Sequence, residues 1–258
     1  MSNIIRADFY RIMLSKMFYM TQVALFVLLL GCILSHTTFQ AGMQSEEFIS
    51  MIQTIEKNNW NGSEALLASS LMAGLLTYFY IPLFNLSVGF ELTRGTIKNV
   101  ITIGVSRWQF FISKYVVFVL ISAFEYILYY VFSFAIASLH SGIGTFDNSF
   151  FSKFLQSVGI QFISLQAIFI ITLLVLYTFQ SNILAQLVTV ILPTLLSSIS
   201  VILFPSSKIT KYLDFQGNIN STFLTIPQYF WEKVLIADII IIIGGGLISY
   251  IIFRKRDL

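Results

Sequence analysis

Six apolar runs, at about 17–35, 66–90, 115–139, 158–179, 183–204 and 234–252, dominate this chain of 258 residues. Each is close to the roughly 20 residues that a helix needs to cross a bilayer core. In hydrocarbon a backbone must satisfy its own N–H and C=O groups, and a single run of this length can do so only as a helix. Charged residues make up 10% of the chain and hydrophobic ones 57%, against about 25% charged in a soluble domain. The connectors are too short to hold a separate soluble domain. The sequence therefore predicts an all-α polytopic membrane protein, with residues 1–258 forming one unit of six transmembrane helices.

The charges orient these runs. Arg6, Arg11, Lys16, Arg94, Lys98, Arg107, Lys114, Arg254, Lys255 and Arg256 fall on one side, with only Asp8, Glu91 and Asp257. Lys57, Lys153, Lys208, Lys211 and Lys233 fall on the other, outnumbered by acids. Basic loops stay inside, so the first side is expected in the cytoplasm with both termini. The single Cys32 excludes an internal disulfide. Leu29-Leu30-Gly31-Cys32 looks a little like a lipoprotein processing site but is read as a small residue within a span.

Residues 2–17 have the pattern of a helix lying in the inner interface. Ile5, Phe9, Ile12 and Met13 are expected on one face, with Arg6, Arg11 and Ser15 elsewhere. The stretch 91–114, between the second and third runs, is too polar to cross a bilayer and too apolar for a loose loop. It carries four of the fifteen basic residues. Gly95 permits a sharp turn, and Thr96 is placed to cap a short helix through Ile97, Val100, Ile101, Ile103 and Val105. Glu91 ends the second span, while Arg107 and Lys114 are expected to anchor the third at the anionic inner surface. A second inner contact is expected at the short turn Gln180-Ser181-Asn182.

Some polar residues sit where they are costly. A carboxylate at mid-bilayer costs a few kcal/mol, about 2.5–3.5 on the gentlest scale, so Glu125 needs a partner, a proton or a wet cavity. Ser122, Glu125, Tyr129 and Ser133 recur at helical spacing and share a face. They form either the wall of a translocation path or a hydrogen-bonded knot that orients spans. Gln186, Thr189, Pro193, Ser197 and Ser200 make a similar stripe on the fifth span, where Pro193 can kink the helix and small residues favour close packing. Asp238, about one turn inside the sixth span, is read as reaching back to the headgroups. Gly244-Gly245-Gly246 marks close packing or a bend. In the outer segment 205–233, Phe223, Tyr229, Phe230 and Trp231 are interface-type aromatics.

Catalysis by this chain is not expected. A phosphate-binding loop needs a Gly-Lys-[Ser/Thr] end, and no Gly-Lys dipeptide occurs. His36 and His140 are the only histidines and lie at outer span ends. With one cysteine and no carboxylate cluster in a span, no metal site is expected.

The pattern Glu91, Gly95-Thr96, Arg107, Lys114, set between the second and third spans, resembles the type-2 ABC exporter permeases. The likeness extends to the N-terminal helix before the first span (their elbow helix), the outer segment before the last span, and the basic tail. It implies that 91–114 holds a cytoplasmic coupling helix seated on a separate ATPase. Two ATPase subunits would bind ATP and Mg, and this chain would bind no cofactor. It further implies pairing with a second permease, identical or homologous, in a bacterial plasma membrane, with no nucleic acid involved. In size the chain is similar to the permeases that export amphipathic peptides, such as the phenol-soluble modulin exporter and lantibiotic-immunity permeases. The candidate path residues are then Ser122, Glu125, Tyr129, Gln186 and Pro193. Two other classes stay open: an ATP-independent channel or secondary transporter using Glu125, and a non-transporting scaffold or sensor subunit.

Overall fold

The computed structural model describes residues 2–39, 46–58, 60–93, 95, 97–102, 104–147, 149–202, 208–223 and 228–255. All of its regular secondary structure among the described residues is helical, with short turns and loops between. Six helical stretches are long and apolar enough to cross a membrane: Lys16–Ser35, Ala73–Leu92, Arg107–Ser141, Phe150–Phe179, Asn182–Ile199 and Tyr229–Lys255. Below they are spans one to six. Their protein-averted faces are also apolar. On span three Leu120, Phe124, Ile127 and Val131 point outward at spacings of four, three and four, and on span six Ile239, Ile240, Ile243 and Leu247 are exposed. Monomeric soluble proteins rarely carry an apolar patch above a few hundred Å², so this surface fits a multi-pass membrane protein.

Helix α1 (Ser2–Met13) is joined by Leu14 and Ser15 to α2 (Lys16–Ser35), which is span one. The inward face of α1 runs through Ile5, Asp8 and Ile12, and Phe9 is exposed. Phe9 lies at the exposed edge of the face it shares with Ile5, Ile12 and Met13, and Asp8 at its buried edge, where Lys114 meets it.

On the far side α3 (Glu46–Glu56) leads to Trp60, which is fully buried and donates Nε1–H to the Ile55 carbonyl at 2.9 Å. Asn61 then caps α4 (Gly62–Leu71), accepting from Glu64 N at 3.1 Å. The amides of Gly62 and Ser63 donate to the carbonyls of Gly142 and Ile143 at 2.9 and 3.1 Å, tying this end to the exit of span three.

Span two is the irregular one. It passes from a 3₁₀ turn, Ala73–Leu75, through α5 (Leu76–Phe84) and a π-helical turn, Asn85–Gly89, to α6 (Phe90–Thr93). Pro82 lies inside α5 and has no N–H to continue the ladder. The inner connector contributes α7 (Ile97–Thr102). Span three is α8 (Arg107–Ser141), whose 35 residues are about 50 Å long and exceed a roughly 30 Å hydrocarbon core.

Span four, α9 (Phe150–Phe179), is the hub of the other half: α10 (Asn182–Ile202, holding span five), α12 (Phe215–Asn220) and α13 (Gln228–Lys255, holding span six) all pack on it. A Cβ on Gly245 would lie 3.2 Å from Ile170 Cγ2, so the glycine run marks close packing of spans six and four. The segment before span six holds α11 (Lys208–Tyr212) and α12, and α12 also packs on the 3₁₀ turn of span two. Trp231 is buried with Ile160 and Val234, leaving Tyr229 as the exposed aromatic.

Candidate functional site

The connector begins and ends in a buried ion cluster. Lys114, 2% exposed at its side chain, donates to Asp8 Oδ2 at 2.6 Å and to Glu91 Oε1 at 2.5 Å. Arg11 closes the cluster, with Nη2 at 3.2 Å from Asp8 Oδ1 and Nη1 at 3.5 Å from Glu91 Oε1. Its Nη2 also donates to the Leu86 carbonyl at 3.0 Å, within the π-helical turn, and its Cζ lies 4.2 Å from the Phe90 ring centroid. Two acids and two bases cancel, as a low-dielectric site demands. Lys114 is thus not the headgroup anchor expected from sequence. Its ammonium is turned inward because two carboxylates, one from α1 and one from the end of span two, meet it there. Asp8 and Arg11 were not read as site residues; the only signal was an acid on an otherwise basic leader.

Between these ends the chain turns twice through left-handed glycines. Gly95, at φ 65°, donates to the Leu92 carbonyl at 3.2 Å; Gly104, at φ 98°, donates to Ile101 at 3.0 Å. Both positions favour glycine because a Cβ is strained at positive φ. Ile97 is buried, and Val100, Ile101 and Val105 pack partly against the core. Thr96 lies outside the described residues. The cap that is visible belongs to span three: Ser106 Oγ accepts from Gln109 N at 3.2 Å, and Ser106 N donates to Gln109 Oε1 at 3.4 Å, a reciprocal capping box.

Arg107 also makes a contact that its place in the sequence does not foretell. Its Nη1 donates to the Arg254 carbonyl at 2.6 Å, holding the last turn of α13. Stacked and edge-on aromatics extend this contact: Phe110 lies 5.7 Å from Phe253, Phe111 lies 5.6 Å from Tyr177, and Trp108 lies 4.7 Å from Tyr250 between ring centroids. The connector is therefore fastened to α1 and to spans two, three, four and six. The 180–182 turn joins it indirectly. Gln180 adopts φ 52°, and Asn182 Nδ2 donates to Asn85 Oδ1 at 2.5 Å. A Cβ on Gly89 would come within 2.8 Å of Asn182 Oδ1, so glycine is what lets this turn dock on the π-helical segment.

The stripe on span three is buried. Glu125 is fully enclosed and accepts a short hydrogen bond from Gln22 Nε2 of span one, while its Oε1 has no partner among the described residues. Ser122 is a junction: its carbonyl accepts from Tyr80 OH at 2.8 Å and its Oγ from Gln166 Nε2 at 3.0 Å. Tyr129 OH donates to the Ser69 carbonyl at 2.6 Å, and Ser133 Oγ meets both Ser69 Oγ and, at 3.1 Å, the Ala65 carbonyl. The stripe on span five serves a different neighbour. Thr189 Oγ1 meets Thr172 Oγ1 of span four at 2.7 Å, Pro193 is buried and Gln186 half-buried. Asp238 is fully buried rather than reaching for headgroups, because Ser164 Oγ of span four donates to its Oδ2 at 2.5 Å.

Gln161 is the polar residue that sequence reading missed. Its Oε1 accepts from Tyr126 OH at 2.9 Å and Tyr130 OH at 2.6 Å. Its Nε2 lies within 3.0 Å of the Ser70 and Ile219 carbonyls and of Ser70 Oγ and Thr222 Oγ1. One amide thus binds spans three and four, α4 and the α12 segment. A neutral Gln in an apolar run carries no charge to flag it.

The family model described as "Protein of unknown function (DUF2705)" matches residues 24–258. The chain belongs to that family. The match takes in the whole of span two, the connector and every span beyond it, and begins after α1, so Asp8 and Arg11 lie before the part shared with the DUF2705 model. Comparison with the curated proteins and with the solved structures gives no match.

Proposed function

We propose that this protein is the permease subunit of a type-2 ABC exporter. It moves an amphipathic or hydrophobic peptide, a toxin or antimicrobial peptide, out of the cell or the membrane. Six helices span the bacterial plasma membrane with both termini in the cytoplasm. The cytoplasmic connector seats α7 on an ATPase subunit. Two such ATPases bind ATP and Mg, and a second permease, identical or closely related, completes the translocation seam.

One observation carries this reading: the connector is wired at both ends rather than hung between two helices. Lys114 joins span three to Glu91 and to Asp8 of α1, and Arg107 holds the end of span six. A load applied to α7 is distributed over α1 and four spans, which is what a transmission element needs. In the proposed cycle, ATPase closure favours one of two arrangements of the spans by contacting them differently. Residues 180–182, docked beside the same π-helical turn, form the second inner contact.

The test is affinity purification of the full chain from its native membranes, with proteomic identification of co-purifying P-loop ATPases. One such ATPase is expected with the parent chain and is expected to be lost on Val100→Asp, while the chain itself stays in the membrane at normal abundance. Export of an amphipathic peptide from inverted vesicles should require ATP. Cargo movement by the chain alone in liposomes, without nucleotide, would end the proposal.

A further inference from the structure

Around Glu125, hydrogen-bond acceptors outnumber donors. Gln22 Oε1, Glu125 Oε1 and Gln166 Oε1 are buried with no hydrogen-bond partner among the described residues, as is the Thr77 hydroxyl. The four come from four different helices, spans one to four. They are tied together by the bonds Gln22–Glu125, Tyr80–Ser122 and Gln166–Ser122, with Ser122 one turn before Glu125 and Thr77 one turn before Tyr80. An aromatic layer lies on the Lys114 side of this cluster. Phe118, one turn before Ser122, lies 4.9 Å from Phe169 and 5.3 Å from Phe84 between centroids, and Tyr80 lies 5.9 Å from Phe169. Tyr129, bonded to the Ser69 carbonyl at 2.6 Å, lies one turn beyond Glu125 on the other side.

No ion pair reaches Glu125 among the described residues; Lys114 and Arg11 are taken up by Asp8 and Glu91. Three possible occupants can be compared by what they supply. A proton on Glu125 cancels its charge but offers one donor to several unpaired oxygens. A water offers two donors and leaves the buried negative charge. A monovalent cation does both, since hard cations are held by several oxygen ligands at once. A divalent ion would leave an excess positive charge in low dielectric, which is costly. Broken helices at membrane depth are recurrent places for such ions, and Thr77 lies two residues past the end of the 3₁₀ turn Ala73–Leu75 of span two.

We propose that the unpartnered oxygens of Gln22, Thr77, Glu125 and Gln166 together bind one monovalent metal cation, with Glu125 as its charge partner. This goes beyond the ATPase-driven reading and does not depend on it. Binding draws on spans one to four together, so occupancy braces them against one another.

The experiment is equilibrium binding of ²²Na⁺ to the full chain in nanodiscs, in choline chloride at constant ionic strength, with ⁸⁶Rb⁺ as a parallel K⁺-like probe. Thermal unfolding is followed in the same buffers. Saturable binding approaching one ion per chain is expected for one of the two probes, with a matching rise in unfolding temperature. Glu125→Gln should weaken it at least tenfold, and Thr77→Val severalfold. If Glu125→Gln does not fold, Thr77→Val decides, and unchanged affinity there overturns the proposal. Absence of saturable binding of either ion, or binding unaltered in folded Glu125→Gln, also overturns it and leaves a proton or water as the occupant. ATPase co-purification is read separately, so the two proposals fail independently.

Discussion

Replacing Lys114 by Met removes the cation at the centre of the connector joint while keeping most of its volume. Asp8, Glu91 and Arg11 remain, so a neutral cluster becomes one with a net negative charge. Breaking a buried ion pair by removing one partner costs about 3–5 kcal/mol, because the other charge stays buried. Two features move this case toward the lower end. Arg11 is 30% exposed at its side chain, so solvent reaches it, and it already touches both carboxylates. About 3 kcal/mol is the resulting expectation. In a chain of this size 1 kcal/mol shifts the unfolding midpoint by roughly 2–4 °C, so the loss should be about 6–12 °C in detergent. The informative arm is the rescue. Glu91→Gln alone should destabilise, because it leaves the cluster with a net positive charge; combined with Lys114→Met it restores neutrality as an Asp8–Arg11 pair. The double variant should therefore lose much less than the sum of the singles, a coupling of 0.5–3 kcal/mol being usual for groups in contact, roughly. If Lys114→Met unfolds within about 2 °C of the parent, or if the two substitutions simply add, the joint is not an energetic unit and the transmission argument loses its footing.

Three further outcomes are expected. Gln161→Ala strands the Tyr126 and Tyr130 hydroxyls and the groups on α4 and the α12 segment; each buried group left unpaired costs about 1–3 kcal/mol, and limited proteolysis should speed up between 208 and 223. Gly89→Leu drives a side chain into Asn85 and Asn182, at a cost of about 1–3 kcal/mol for overpacking, and should lower the unfolding midpoint when made in a Cys32→Ser background. In that background, intact cells should label Ile143→Cys but not Ser106→Cys with a membrane-impermeant maleimide; the reverse pattern would invert the topology and remove α7 from the cytosol.

The helical class and the positions of the long apolar helices were legible because length and apolarity alone decide them. Span two was less so: the run at 66–90 continues outward to Gly62, and its 3₁₀ and π-helical breaks leave no mark in hydropathy. The connector's residues were also legible, but their partners were not. Lys114 reads as an anchor by its place in the chain, and only folding brings Asp8 to it from 106 residues away. Asp238 was misread for the same reason, since depth along a helix says nothing of the serine on the neighbouring one. The polar stripe on span three was readable by its spacing of three and four. Gln22 sits singly in span one, and Gln161 and Gln166 share span four; these neutral amides turn that stripe into networks but carry no charge to draw notice.

The π-helical turn at Asn85–Gly89 has a consequence for how span two tolerates change. Such a turn holds one residue more than an α-helical turn would, and each residue in a helix rotates the chain by roughly 100°. Deleting one residue between 85 and 89 would let the segment relax to an ordinary α-helical turn of nearly the same rotation, so the helix beyond would keep its phase. Glu91 would still face Lys114, and the connector would set off in the same direction. The extra residue acts as slack, so a single-residue deletion here should be tolerated better than the same deletion in the regular α-helix of span three.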